Sequence, residues 1–318
     1  MARIALLARI ACVVPAVALL LFGGSDAAAA EKIGVVTPLC CDFGADTKEM
    51  IVAGLKAAGV APASYELLVQ RPGTDRVSLL NSIRKLTAYE VKALITFGGT
   101  AAREAAQESR SVPVIFVGAW DPVKSGLVSA LDRPGKNVTG VSGRTSLAFL
   151  LDALVETTQP SNLGVLYHSD NIDGLAQLAE VKEAAAKRGL ALTPVDTRTV
   201  KGPALAPALA GCQAVYLAIG VFPEAVGREE LEALGKPVIT QSQNAEGAGA
   251  IFALSAEPEE SLAEATKIVA RILAGEKPGQ VPVGAAKKIA FVVNMQAAQR
   301  QGVKIPFGVL SRASRVVK

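Results

Sequence analysis

In the stretch ALITFGGTAAREAA, Ala93 to Ala106, a β-like apolar segment runs through Gly98, Gly99 and Thr100 straight into a helix-like one. A strand that ends in such a turn leaves the first N–H groups of the following helix unpaired, pointing into the crevice above the sheet. Their natural guest is an anion or a polar oxygen. Dinucleotide enzymes, phosphate-cradling nucleotidases and solute receptors all use this geometry. Other strand-like segments end in residues with polar or reactive side chains: Thr37, Pro38, Cys40 and Cys41 in TPLCC, Trp120 and Asp121 in AWDP, and His168 and Ser169 in YHSD. Gly220 and Val221 in IGVF and Gln241 and Ser242 in TQSQ complete the set.

Most enzyme chemistries find no support in these residues. A dinucleotide fingerprint needs G-x-G-x-x-G, whereas the turn here reads Gly-Gly-Thr-Ala-Ala, and Asp121 at the next strand end is a lone acid without that spacing. The sequence contains no G-x-x-x-x-G-K-[ST] phosphate loop. GVSGR has the wrong spacing for a nucleophile elbow. His168 is the only histidine, so any triad or histidine-rich metal site would depend on it. Cys40 and Cys41 could join His168 in a soft-metal site, but adjacent cysteines rarely supply good metal geometry, and small apolar residues lining a pocket is the simpler reading. One disulfide among Cys40, Cys41 and Cys212 would leave at least one thiol free. The expectation is no catalysis, no cofactor and no metal.

The elements that must position these residues alternate. KIGVVTP, SYELLVQ, VKALITFGG and VPVIFVGAW read as strands, separated by amphipathic helices such as DRVSLLNSIRKLTAY. A second series follows NVTGVSGRTS, with LGVLYHS, LALTPVDT, CQAVYLAIG, KPVITQS and GAIFALS as strands. Such alternation predicts parallel sheets with helices on both faces and ligands at the carboxyl ends of the strands. Two such α/β lobes with facing strand ends would enclose a cleft. Hydrophobic residues make up 50% of the 318-residue chain and charged ones 19%, ample for two cores. The formal charge of +4 is not clustered as a nucleic-acid binder would require, and none is expected as partner. At the N-terminus Arg3 and Arg9 bracket an apolar run that ends in the small-residue patch DAAAAEK. This reads as an export signal over residues 1–30, cut near Ala30, too short in its uninterrupted apolar part for a membrane span.

Val112 to Ser142, VPVIFVGAWDPVKSGLVSALDRPGKNVTGVS, closely resembles the signature of a bacterial ABC-transporter substrate-binding family that includes tryptophan and tyrosine receptors. The apolar strand, the small-residue loop ending in Asp-Pro, the Gly-Leu-Val segment and Arg-Pro-Gly-x-Asn-Val-Thr-Gly all have counterparts here. RKLTAYEVKALITFGGTAAREAAQ, LGVLYHSDNIDGLAQLAEVKEAAAKRGL, IVARILAGEKPGQVPV and VVNMQAAQRQGVKIP resemble other segments of the same family. The resemblance implies a type I periplasmic-binding fold of two Rossmann-like lobes with three interlobe crossings, near Val141 to Thr145, Ala253 to Glu257 and Val283 to Ile289. Lobe 1 would take residues 31–141 plus about 255–282, and lobe 2 residues 142–254 plus about 290–318.

On this reading the chain is a monomeric, exported, periplasmic receptor that clasps a small organic solute by hinge closure and passes it to an ABC permease. Gly98, Gly99 and Thr100 would hold a ligand carboxylate, with Trp120 covering an apolar part. Relatives that bind amino acids tend to carry a polar or acidic group where this chain has Ile219-Gly220-Val221, and an Asp where it has Ser242. A ligand ammonium wants a carboxylate in a closed cleft, so the departure points toward a less polar or non-zwitterionic solute. The alternatives are a periplasmic sensor or accessory protein of the same fold, a soft-metal protein using Cys40, Cys41 and His168, and an NAD-type enzyme.

Overall fold

A computed structural model describes residues 30–38, 46–73, 75–223, 225–242 and 247–318. The expected signal segment up to residue 29, and Cys40 and Cys41, lie outside the described residues.

The chain begins with β1 (Glu31–Val36), α1 (Thr47–Ala57), β2 (Tyr65–Gln70), α2 (Arg76–Ala88), β3 (Ala93–Phe97), α3 (Gly99–Glu108), β4 (Val114–Ala119) and β5 (Val138–Ser142). It continues with α4 (Leu147–Thr158), β6 (Asn162–Tyr167), α5 (Ile172–Ala186), β7 (Ala191–Asp196), α6 (Leu205–Ala208), β8 (Ala214–Leu217), α7 (Arg228–Ala233), β9 (Val238–Thr240) and β10 (Phe252–Ala256). Then come α8 (Pro258–Leu273), β11 (Gly284–Ala285), β12 (Ile289–Asn294), α9 (Met295–Arg300), α10 (Phe307–Leu310) and β13 (Arg315–Val317). The strands form two sheets, a six-stranded one in the order β11-β5-β4-β3-β1-β2 and a seven-stranded one in the order β13-β12-β10-β9-β8-β6-β7.

Every pairing in the first sheet is parallel. The second sheet departs from the parallel expectation at β10 and β12, which pair antiparallel. The chain leaves the second lobe along β10 and returns along β12, so the two strands must run in opposite directions. Each sheet buries apolar residues on both faces, as parallel strands covered by helices require.

The helix that returns to the first lobe is α8. Pro258 at its start and Glu259 and Glu260 in its first turn suit a helix N-terminus. Leu262, Ala265, Ile268, Val269 and Ile272 form its buried stripe, which packs on the first sheet and on α1. Gly54 of α1 has no room for a Cβ, which would strike the Thr266 side chain. The two helices therefore touch almost backbone to side chain.

Hydrogen bonds tie the connections between the sheets to one another. Thr145 Oγ1 donates to the Leu254 carbonyl at 3.1 Å, and the Glu257 N–H donates to the Lys288 carbonyl at 3.0 Å. Among the described residues no helix is long and apolar enough to cross a membrane.

Candidate functional site

The carboxyl ends of the first sheet face those of the second, and a cavity of about 860 Å³ opens between them. Pro38, Phe97, Gly98 and Thr100 line it from the first lobe, with Arg76, Arg103 and Glu104 from α2 and α3. His168, Ser169 and Asp170, with Arg198, Lys201 and Gly220, line it from the second.

Local sequence explains how these walls are set. Gly98 has φ +81 and caps α3, so the helix begins at Gly99 and Thr100 already lies in its first turn. A residue with a side chain would be strained at that φ. Gly118 has φ +83 and marks a register shift between Val117 and Ala119 where β4 pairs with β5. This bulge turns the end of β4, so that the backbone N–H of Trp120 faces the second lobe. On the other side Asn171 caps α5, its side-chain oxygen accepting the Gly174 N–H at 2.9 Å.

The helix start anticipated as an anion seat is already filled, and by the chain itself. Asp173, from α5 of the second lobe, accepts the Gly99 N–H at 2.6 Å and the Trp120 N–H at 2.8 Å. It is 2% exposed. Burial pushes its carboxyl above the usual range, against the pull of the two N–H bonds and of the Arg103 charge. Beside it Thr100 Oγ1 accepts the Ile172 N–H at 3.1 Å, and Ile172 packs into an apolar cluster of the first lobe.

Glu180 continues this contact along α5, while Gln177 between the two bonds within the second lobe. Gln177 accepts the Ile219 N–H at 2.8 Å, and Glu180 accepts the indole N–H of Trp120 at 3.0 Å. Asp173, Gln177 and Glu180 are spaced by four and three residues, so they share one face of the helix. Sequence reasoning passed over all three. Their spacing was visible in DNIDGLAQLAEVKEAAAKRG, but polar residues at helical spacing are the ordinary pattern of a solvated face.

The anticipated site residues therefore divide. Pro38, Gly98, Thr100, His168, Ser169 and Gly220 come together on the cavity. Gly99 meets Asp173. Trp120 is 1% exposed and is wedged between the lobes. Asp121 accepts the Lys124 N–H at 3.0 Å and lies 3.8 Å from Arg144. Thr37 and Val221 are buried, the latter in a second-lobe core. Gln241 accepts from the Tyr216 hydroxyl at 2.9 Å and donates to Thr145 at 2.8 Å, so its amide is engaged at both ends. The Ser242 N–H donates to Thr240 at 3.0 Å. Burial, helped by the Glu180 charge, holds the Tyr216 phenol well above its usual range, so it stays a neutral donor to Gln241.

Charge in the cavity is mostly paired. Arg76 binds Glu104 at 2.9 Å, Arg198 binds Asp170 at 3.0 Å, and the Asp75 side chain caps α2. Arg103 approaches only the far oxygen of Glu104, at 3.9 Å, and Lys201 has no ion pair among the described residues. Asp196 organises the second-lobe wall, accepting the N–H groups of Ser169 at 3.2 Å and Arg198 at 3.0 Å. Burial would raise its carboxyl, but those N–H groups, the Ser169 hydroxyl and the His168 charge outweigh burial and hold it below the usual range. Among the described residues no group of three or more His, Cys, Asp or Glu could hold a metal ion. Cys212 is buried in a second-lobe core and free.

Comparison with known proteins agrees with this architecture. A curated tyrosine-binding protein of Clostridioides difficile is 22% identical over 226 residues, 67% of this chain and 64% of that protein. The match thus spans just under two thirds of the relative's length. The structure of an ABC domain from Streptococcus pneumonia in complex with L-Trp superposes with a TM-score of 0.80 at 22% identity, covering 91% of this chain and all of the other. A conserved domain protein from Vibrio cholerae gives 0.79 at 24% identity, covering 90% of this chain and 99% of the other. These solved structures share the two-lobed type I periplasmic-binding fold. The family described as ABC transporter substrate binding protein matches residues 32–317, nearly every residue after the N-terminal segment, and this chain belongs to that family.

Proposed function

We propose that this protein is the exported solute receptor of an ABC importer and holds one small organic molecule between its lobes. The observation that carries the reading is a cavity of about 860 Å³ lined by the strand ends of both lobes. A solute there would touch both lobes only when they are closed, so its binding would favour closure about the connections near Thr145, Glu257 and Lys288. The receptor itself performs no chemistry. With no phosphate loop in the sequence, ATP hydrolysis belongs to a separate subunit reached through the permease.

The chemistry of the walls narrows the solute. Asp75, Glu104, Asp170 and Asp173 already have partners, leaving none of them free to meet a ligand ammonium. Arg103 and Lys201 are the cations with most to gain from a guest. A solute with acceptor oxygens, such as a small organic acid, fits them better than a cation or a zwitterion. Related proteins are named for tyrosine or were solved with L-Trp, which places aromatic amino acids and the matching aromatic acids first in a screen.

The test is a thermal-shift screen of the purified mature protein against amino acids, aromatic acids, short-chain organic acids and soft metals. A solute present at a hundred times its Kd should stabilise the fold by about 2.7 kcal/mol. A shift from an organic acid that Arg103→Ala or Lys201→Ala removes supports the reading. Silence from every organic solute would overturn it.

A further inference from the structure

We propose that Asp173 is the specificity-determining residue of this cleft: it fills the two-donor seat at Gly99 and Trp120 with the chain's own carboxylate, so the lobes close without solute and a ligand carboxylate is excluded from that seat. The proposal rests on reading the cleft as the solute site.

The geometry is that of an anion site that is satisfied internally. Each carboxylate oxygen takes one backbone N–H, Oδ2 from Gly99 at 2.6 Å and Oδ1 from Trp120 at 2.8 Å, and both donors belong to the opposite lobe. The donors themselves are made available by two local features, the helix start after Gly98 and the bulge at Gly118. Gly99 is fitted to the same guest, because a Cβ there would lie 2.5 Å from Asp173 Oδ1. A ligand carboxylate at this position would have to displace Asp173 and leave it unpaired, which is costly in a buried site.

The same helix face carries the contact further. Glu180 takes the Trp120 indole N–H at 3.0 Å and lies 3.3 Å from Arg144, near the first connection between the lobes. Three interlobe donors, Gly99 N–H, Trp120 N–H and the Trp120 indole, are thus served by side chains of α5. In a receptor that closes only on its ligand, these donors would be left for the ligand or for water. Here the guest is free to bind in the part of the cavity bounded by Arg103, His168 and Lys201.

Trp120 is the only tryptophan, and it lies buried at this junction, so its fluorescence reports the latch directly. The experiment uses the solute-stripped mature protein, Asp173→Ala and Gly99→Ala, and reads Trp emission, acrylamide quenching and the radius of gyration from small-angle scattering. Wild type should emit in the blue, quench poorly and scatter as a compact particle. Asp173→Ala should shift to the red, quench severalfold more and expand. Acetate or formate should then restore the compact, blue-emitting state in Asp173→Ala, while chloride at equal ionic strength should not. Neither should change wild type. Gly99→Ala, which crowds the carboxylate without removing it, should also open but should not respond to acetate, and it serves if Asp173→Ala does not fold.

A wild type that is open without solute would overturn the proposal. So would an Asp173→Ala protein as closed as wild type, or one that acetate leaves open. Because wild type and Gly99→Ala receive the same acetate and formate, a response confined to Asp173→Ala reports the vacated seat and not solute binding at Arg103 or Lys201, and an empty solute screen and a failed latch are separate outcomes.

Discussion

At the scale of single residues, a backbone donor belongs to whichever acceptor reaches it with least loss. Gly98-Gly99-Thr100 was legible in the sequence as a donor-rich turn, since two glycines before a helix leave N–H groups exposed at its start. The owner of the acceptor was not legible. Asp173 lies 74 positions from Gly99, and only the approach of the lobes brings its carboxylate within 2.6 Å. Asp196 gives a prediction at the same scale. Its carboxyl is held below the usual range, so its contribution to stability is present above the ordinary carboxylate pKa and is lost as pH falls through the depressed value. Asp196→Asn should therefore weaken solute binding near neutral pH and flatten the acid limb of a melting-temperature profile relative to wild type. An unchanged acid limb would remove Asp196 from that role.

At the scale of elements, the period of the sequence carried far and packing decided the rest. The β-branched runs at β1, β3 and β4 and the apolar stripe of α8 could be assigned from spacing alone, because a buried face leaves its period in the chain. On α5 the period misled, since Asp173 and Glu180 meet the first lobe and Gln177 between them bonds the Ile219 N–H within the second, none of them serving as a solvated face. The α1–α8 contact is open to a direct test. Gly54→Ala would drive a methyl into Thr266, and overpacking of this kind costs about 1–3 kcal/mol. Thr266→Ala should relieve much of that loss, so a double-mutant cycle in chemical denaturation should be clearly non-additive. Asn171→Ala, which removes the cap of α5, should cost about 1 kcal/mol in the same assay.

At the scale of the whole molecule, the proposed closure would be coupled to protonation through Asp173. In an open form its carboxyl would be solvated and ordinary; in the closed form burial raises it. The stabilisation of the closed form is then full below the ordinary pKa and is lost as pH rises through the raised one. Arg103 on α3 pulls the carboxyl down, and it lines the same cavity as Glu104 and, on the opposite wall, His168, Asp170 and Arg198. Scattering and Trp120 quenching across a pH series should show the solute-free wild type more compact in mild acid than at higher pH. Asp173→Asn, which cannot titrate, should lack that trend. A trend unaltered in Asp173→Asn would place the pH sensor elsewhere.

By itself the sequence determined two βαβ series, the strand ends at which a ligand would gather, and the signature around Val112 to Ser142 that resembles the substrate-binding family. These are local properties, written in the period of buried faces and in short motifs, and they survive without knowledge of distant contacts. Tertiary structure alone decided which strand-end residues share the cavity, which are consumed in bonds of their own, as Gln241 is by Tyr216 and Thr145, and which distant side chain fills the first turn of α3. Those outcomes depend on pairs far apart in the chain competing for the same donors, and that competition takes place only when the two lobes meet.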